Sequence, residues 1–123
     1  MFLTKNFMFE AAHRLPNYNG KCEALHGHSY RLEVTVSGKL DTKSGMIVDF
    51  GILKKIVKEN VVDVLDHSYI NNIIETPTAE NMVLWMNEKL EKNLREQGVS
   101  LHKMQLWETR DSSVTLISDN DFV

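Results

Sequence analysis

Apolar and polar residues alternate along two stretches of the first third of the chain, as they do in strands with one buried face. The first stretch, residues 7–15, predicts a strand that ends near Leu15, and the second, residues 28–37, predicts another. Between them, residues 16–25 contain Pro, Gly and two Asn without a stable period. This segment predicts a ten-residue loop, which is long enough to suggest a functional role.

The middle of the chain changes to helical spacing. From Asp49, a suitable N-cap residue, apolar residues recur every three or four positions as far as Val64. A second apolar stripe ends at Leu94, with Thr78 placed to cap its start and Gly98 placed at the C′ position after its end. The pattern therefore predicts two consecutive helices.

The last part of the chain has the pattern of a hairpin, in which residues 101–110 and 113–119 are joined through Asp111 and Ser112. The predicted element order is thus ββααββ. The simplest packing of these elements is an α+β fold, a four-stranded antiparallel sheet with two helices on one face. Because no linker, internal repeat or low-complexity tract interrupts the pattern, residues 1–123 are expected to form a single domain.

The composition narrows the class of protein. With 42% hydrophobic and 25% charged residues, the chain suits a globular domain with a sizeable core. It has neither the roughly eighteen uninterrupted apolar residues of a membrane span nor the pattern of a signal peptide, so a cytoplasmic protein is expected. A net charge of −3 and a pI near 5.9 argue against a nucleic-acid binder and favour a small-molecule or protein partner.

Three histidines are placed to share one pocket. His26 and His28 lie two positions apart and therefore point to the same face of a strand, and His13 would converge on them from an antiparallel neighbour. Three imidazoles with an open fourth position is the arrangement of catalytic zinc, whereas Cys22, the one cysteine, could close a structural site. Histidines near a strand start are also often loop residues or core hydrogen-bond donors, and spacing alone does not separate these alternatives.

Five short motifs occur in order along nearly the whole chain: "EAAHRL" from Glu10, "CEALHGH" from Cys22, "LDHSYIN" from Leu65, "PTAEN" from Pro77 and "LWET" from Leu106. Together with the length and the element order, they resemble the 6-pyruvoyl-tetrahydropterin synthase family. Within it they look most like the bacterial branch of 6-carboxy-5,6,7,8-tetrahydropterin synthases of queuosine biosynthesis. Each motif alone is weakly specific, but five in the family's order are hard to obtain by chance.

The resemblance implies a tunnelling fold and a zinc enzyme that acts on 7,8-dihydroneopterin triphosphate. The implied products are 6-carboxy-5,6,7,8-tetrahydropterin, acetaldehyde and triphosphate. Two related outcomes stay open, namely loss of triphosphate to give 6-pyruvoyl-tetrahydropterin and side-chain cleavage to 6-hydroxymethyl-7,8-dihydropterin for folate synthesis. A zinc- or pterin-binding protein without catalysis, on the same fold, is the alternative outside enzymes.

The resemblance also assigns roles to individual residues. It implies that zinc is bound by His13, His26 and His28 and that Cys22 is the catalytic base. It implies that Asp66 and His67 relay protons, and that Glu108 and Thr78 bind the pterin.

Taken without the family, several of these residues have plainer interpretations. Adjacent Asp66 and His67 at a helix end would more often be a cap and a solvated side chain. Glu108 alternates with Met104 and Leu106, which places a carboxylate on an apolar face, where it would require partners. Two parallel hydrogen bonds from the amino group and ring N–H of a pterin would satisfy it, but so would an ion pair with an arginine.

Glu23 departs from the simplest family pattern. Relatives that lack the cysteine carry a glutamate three residues before His-Gly-His, and they resemble enzymes that cleave the side chain to 6-hydroxymethyl-7,8-dihydropterin. Here both Cys22 and Glu23 are present, so two bases of different strength would lie side by side. The alternative is that Glu23 simply faces water, as most loop glutamates do.

An oligomer is expected on two grounds. A four-stranded sheet with both edges free exposes unpaired backbone groups, which closure of several sheets into a ring would cover. The resemblance implies a homo-oligomer of this kind, a trimer or a dimer of trimers, with sites at subunit interfaces. Asp66, His67 or Glu108 would then serve a neighbouring subunit's zinc.

Overall fold

The computed structural model describes residues 1–16, 19–20 and 23–118, and these form one mixed sheet covered on one face by helices. The strands are β1 (Phe2–His13), β2 (His26–Ser37), β3 (Ser68–Tyr69), β4 (Ser100–Thr109) and β5 (Ser112–Ile117). They lie in the order β3-β1-β2-β4-β5, and neighbouring strands are antiparallel except for the parallel pair β1/β3.

The helical elements pack on the face of the sheet where the apolar residues of the alternation lie. The first helical segment consists of two short α-helices joined by a π turn, and a longer α-helix follows after a 3₁₀ turn. The bounds are α1 (Phe50–Val57), a π turn (Lys58–Val62), α2 (Asp63–Leu65), the 3₁₀ turn (Ile70–Asn72) and α3 (Ala79–Glu96).

The predicted helix ends are confirmed by their hydrogen bonds. Asp49 accepts from the backbone N–H of Gly51, and Thr78 accepts from that of Asn81, so both side chains cap a helix start. After α3, Gly98 adopts a φ of +77°, and the N–H groups of Gly98 and Val99 bond back to the carbonyls of the last turn. This is a Schellman motif, in which glycine supplies the left-handed residue.

The core lies between the helices and one face of the sheet. Phe9, Tyr30, Leu32 and Met104 contribute to it from the strands, as the period of two predicts, and the apolar stripes of the helices complete it. Residues of opposite phase face away from the helices, and Met8 there is 66% exposed. One face of the sheet is therefore covered by helices, and the other is open.

Two details of the predicted α+β fold require correction. The sheet has five strands because the backbone after α2 follows the edge of β1: the N–H of His67 bonds to the carbonyl of Glu10, and Ser68 pairs with Ala11. β1 ends at His13 rather than near Leu15, because the N–H of Arg14 bonds to the side chain of Asn71 instead of to β2. Within the described ranges, no helix is long and apolar enough to cross a membrane.

Candidate metal centre

The three predicted histidines converge at the loop end of the β1–β2 hairpin. His13 lies opposite His26, and His28 lies opposite Ala11, so all three side chains point to the helix-covered face. Their ligand nitrogens lie within 4.8 Å of one another. His13 is buried, with 1% of its surface exposed, and His26 and His28 are half-buried. The register of one hairpin therefore assembles the cluster.

Backbone carbonyls fix the tautomers of two of the rings. His13 Nδ1 lies 2.8 Å from the carbonyl oxygen of Pro77, and His26 Nδ1 lies 2.7 Å from that of Ala24. Since a carbonyl only accepts, each Nδ1 carries the hydrogen and each neutral ring presents a lone pair on Nε2. The two Nε2 atoms face each other at 3.0 Å. Two lone pairs at that distance require positive charge between them, which a metal ion or a shared proton can supply.

His28 contributes the third imidazole of the cluster. His28 Nε2 is buried, and within the described residues it has no hydrogen-bond partner. Burial lowers the pKa of His13 and of His28 below the ordinary value of 6.5, which favours the neutral imidazoles that bind metals. Three neutral nitrogens fit a divalent ion of the zinc type.

Glu108 lies beside the same cluster. It occupies the apolar face of β4 as predicted, and its Oε1 is 3.5 Å from His13 Nε2 and 3.8 Å from His28 Nε2. Among the described residues, the alternative ion pair with an arginine does not form, because Arg31 instead stacks at 3.8 Å on the ring of Trp107. The carboxylate is thus directed at the histidines.

Asp66 and His67 are joined to each other and to β1, but they do not touch the cluster. Asp66 Oδ2 lies 3.1 Å from His67 Nδ1, and Asp66 Oδ1 accepts from the N–H of Glu10 at 2.9 Å. The hydrogen bond from Glu10 lowers the pKa of Asp66 below its ordinary value of 3.8, which keeps the carboxylate ionised. The plainer interpretation is also met, because Asp66 is the C-cap residue of α2 and the side chain of His67 lies in solvent.

His67 is turned toward the open face of the sheet. Its φ is +58°, a conformation that is uncommon outside glycine, and its side chain is 80% exposed. It borders an open depression of about 430 Å³, which is lined by Glu10, Ala12 and Ser29 and also by His28 of the cluster. No contact joins His67 to the three histidines in the portion of the chain that the structure describes.

The loop that carries the other candidate base is described only in part. Cys22 lies outside the described residues. Glu23 is exposed, and its backbone carbonyl accepts from Arg14 Nε at 3.2 Å, which ties this end of the loop to β1. Glu23 lies three residues before His26 in the chain, and its side chain is in solvent.

Sequence reasoning missed the groups that orient the rings. The carbonyls of Pro77 and Ala24 carry no residue-type signal, so no sequence pattern could have found them. Tyr30 could have been found, because it continues the alternation from His28; its hydroxyl lies 3.4 Å from His13 Nδ1. Burial, with a smaller contribution from the charge of Glu108, raises the pKa of Tyr30 above its ordinary value, so the phenol stays protonated.

Thr78→Ala is expected to lower the free energy of unfolding by about 1 kcal/mol, because the start of α3 loses its side-chain cap. Thr78→Ser keeps a hydroxyl at the same atom and should retain most of that stability. Urea denaturation of the three proteins measures the difference. Equal stability of the alanine and wild-type proteins would contradict a capping role.

Comparisons with known proteins extend over almost the whole chain. Residues 2–118 match the model of the family described as 6-pyruvoyl tetrahydropterin synthase. A Synechocystis protein named 6-carboxy-5,6,7,8-tetrahydropterin synthase is 43% identical over 121 residues, which cover 93% of this chain and 91% of the relative. A Pyrococcus furiosus protein named dihydroneopterin monophosphate aldolase is also 43% identical, over 108 residues that cover 88% and 90%. The solved structure of Caenorhabditis elegans 6-pyruvoyl tetrahydropterin synthase matches with a TM-score of 0.85 at 29% identity and covers 97% of this chain and 96% of that one.

Proposed function

The chain belongs to the 6-pyruvoyl tetrahydropterin synthase family, and from this premise we propose that it is a zinc-dependent lyase of dihydroneopterin triphosphate. The proposed products are 6-carboxy-5,6,7,8-tetrahydropterin, acetaldehyde and triphosphate, in the biosynthesis of queuosine. The names of the 6-carboxytetrahydropterin synthases that resemble it over most of their length support this choice.

One observation carries the zinc assignment. The Nε2 lone pairs of His13 and His26 face each other at 3.0 Å, and His28 Nε2 is buried beside them without a partner among the described residues. These three residues would hold the ion. When bound, zinc supplies a Lewis acid that polarises the hydroxyl and carbonyl oxygens of the substrate's three-carbon side chain.

Proton transfer is assigned to Cys22 and to the pair Asp66–His67. A thiolate at Cys22 would remove a proton from the side chain of the substrate. Ionised Asp66 holds the hydrogen of His67 on Nδ1, which leaves Nε2 free to accept or return a proton. Because His67 borders the open face and, among the described residues, forms no hydrogen bond or ring contact with the three histidines, we place it in the site of a neighbouring subunit of a homo-oligomer, a trimer or a dimer of trimers.

Recognition of the pterin ring is assigned to Glu108 and Thr78. The Glu108 carboxylate is 29% exposed and can accept two parallel hydrogen bonds from the amino group and the adjacent N–H of the ring. Thr78 follows Pro77, the residue whose carbonyl accepts from His13, and its hydroxyl accepts from the N–H of Asn81 at the start of α3.

Side-chain cleavage to 6-hydroxymethyl-7,8-dihydropterin is the second candidate. Two observations favour it: a relative that is 43% identical is named an aldolase, and this chain carries Glu23 beside Cys22. The exposed Glu23 lies three residues before His26 in the chain.

Product analysis should separate the two reactions. With dihydroneopterin triphosphate, we expect the 6-carboxy compound as the main product, and we expect Glu23→Ala to reduce only the 6-hydroxymethyl product. Chromatography of reactions with the triphosphate and with dihydroneopterin monophosphate measures both, and Glu96→Ala at the exposed end of α3 is the matched control. If the 6-hydroxymethyl compound dominates with either substrate and depends on Glu23, the aldolase becomes the main activity.

A further inference from the structure

The open face of the sheet carries a second depression, which adjoins at Ser29 the one that His67 borders. It has a volume of about 360 Å³ and is lined by Met8, Ser29, Arg31, Trp107, Thr109 and Arg110. Three of these residues form one row across the sheet, because Arg31 of β2 pairs with Met8 of β1 on one side and with Trp107 of β4 on the other. The register of three strands therefore builds the floor of this depression.

The guanidinium of Arg31 is stacked on the indole of Trp107. Its central carbon lies 3.8 Å from the centroid of the ring. Stacking holds a guanidinium by its flat face and leaves the N–H donors at its edge available to an acceptor. In the described part of the chain, the arginine side chains that donate hydrogen bonds are those of Arg14 and Arg95, so these donors of Arg31 have no acceptor there.

The acidic residues beside Arg31 on this face are engaged elsewhere. Glu33 Oε2 lies 3.9 Å from Lys103 Nζ, and Glu10 Oε2 accepts from the hydroxyl of Ser29 at 2.6 Å. Among the described residues, Arg31 forms no ion pair with either of these acids. Its positive charge is therefore balanced by no carboxylate contact in that part of the chain.

Arg110 brings a second positive charge to the same depression. It also forms no ion pair within the described ranges, because Asp111, its neighbour in the chain, accepts from the hydroxyls of Thr109 and Ser112 instead. Two arginines thus line one depression in a chain whose net charge is −3.

We propose that this depression binds an oxyanion of the phosphate type, with an oligophosphate preferred because two separate cations line the site. The edge of a guanidinium matches two oxygens of a phosphate, and Arg31 is already held in one orientation by the ring beneath it. The apolar side chains of Trp107 and Met8 strengthen the attraction between charges beside them. The inference goes beyond the proposed function, whose released triphosphate belongs to the same chemical class.

Inorganic triphosphate is the probe that tests the proposal. Its affinity is measured by titration calorimetry at constant ionic strength, and the place of binding by fluorescence of Trp85→Phe, in which Trp107 is the one remaining tryptophan. We expect saturable binding that is weakened by about 10-fold or more in Arg31→Gln and in Arg110→Gln. Arg31→Lys should recover only part of the affinity, because lysine keeps the charge but not the planar fork.

Lys103→Gln is the matched control, since it removes a cation of β4 that already lies beside Glu33, and its affinity for triphosphate should equal that of wild type. Equal affinities of wild type and Arg31→Gln would place the triphosphate at the metal centre and overturn the inference. A fluorescence change that potassium chloride reproduces at the same ionic strength would overturn it as well. Normal turnover without binding at Arg31 would leave the proposed function intact, whereas binding at Arg31 without turnover would remove the proposed function alone.

Discussion

His28→Ala should remove the bound zinc and reduce turnover of dihydroneopterin triphosphate by roughly 1,000-fold or more, since a metal Lewis acid contributes several kcal/mol to a transition state. The ring of His28 provides the buried nitrogen that has no other partner among the described residues. Two imidazoles would remain, fewer than the three protein ligands of catalytic zinc sites.

The measurements are zinc per chain by metal analysis and the initial rate of product formation. His102→Ala is the matched control, because His102 lies in β4 and stacks on Phe2 at 4.3 Å, outside the cluster. Circular dichroism establishes that both variants are folded. A folded His28→Ala protein with one zinc per chain and wild-type turnover would contradict the assignment of the metal centre.

Cys22→Ala should lower turnover by about 100- to 10,000-fold, the contribution of a positioned acid or base, and leave the zinc content unchanged. The reason is chemical: a thiolate beside a cation is a competent base, whereas alanine takes no proton. Cys22→Ser is the companion variant, because a hydroxyl preserves size and hydrogen bonding but is a far weaker base.

Zinc content and rate are measured on the same samples. Loss of zinc from Cys22→Ala would indicate that the thiolate completes a closed structural site, and it would favour a zinc-binding protein without catalysis. Wild-type turnover in both variants would remove Cys22 from the mechanism and leave Glu23 as the base to be tested next.

Much of the fold follows from periodicity. The alternation around Phe9 and Tyr30 predicts the β1–β2 hairpin, because burying one face of a sheet imposes a period of two. The two-residue strand β3 could not be predicted, since Ser68 and Tyr69 are ordered by the edge of β1 rather than by their own pattern. The π turn could not be predicted either, because Val61 and Val62 are both buried, and such a pattern fits an α-helical turn as well as a π turn.

The candidate site likewise has features that the sequence predicts and features that it does not. The cluster could be predicted because His26 and His28 share a strand face and the ten-residue loop returns the chain to His13. The hydrogen bonds that select its tautomers could not, because their acceptors are backbone carbonyls positioned by tertiary packing. The face of β4 that Glu108 occupies could be predicted from its alternation with Met104 and Leu106, whereas its distance to the histidines depends on the register of β4 against β2.

The histidines of β2 are in phase with the apolar residues of the same strand: His26 and His28 continue into Tyr30 and Leu32 without a break in the alternation. A slip of one residue in the hairpin would turn the imidazoles and the core to the open face together. Burial of the core face and assembly of the three imidazoles therefore require the same register. A chain that reaches its native hairpin has already brought the rings together, before any metal ion of the proposed kind binds.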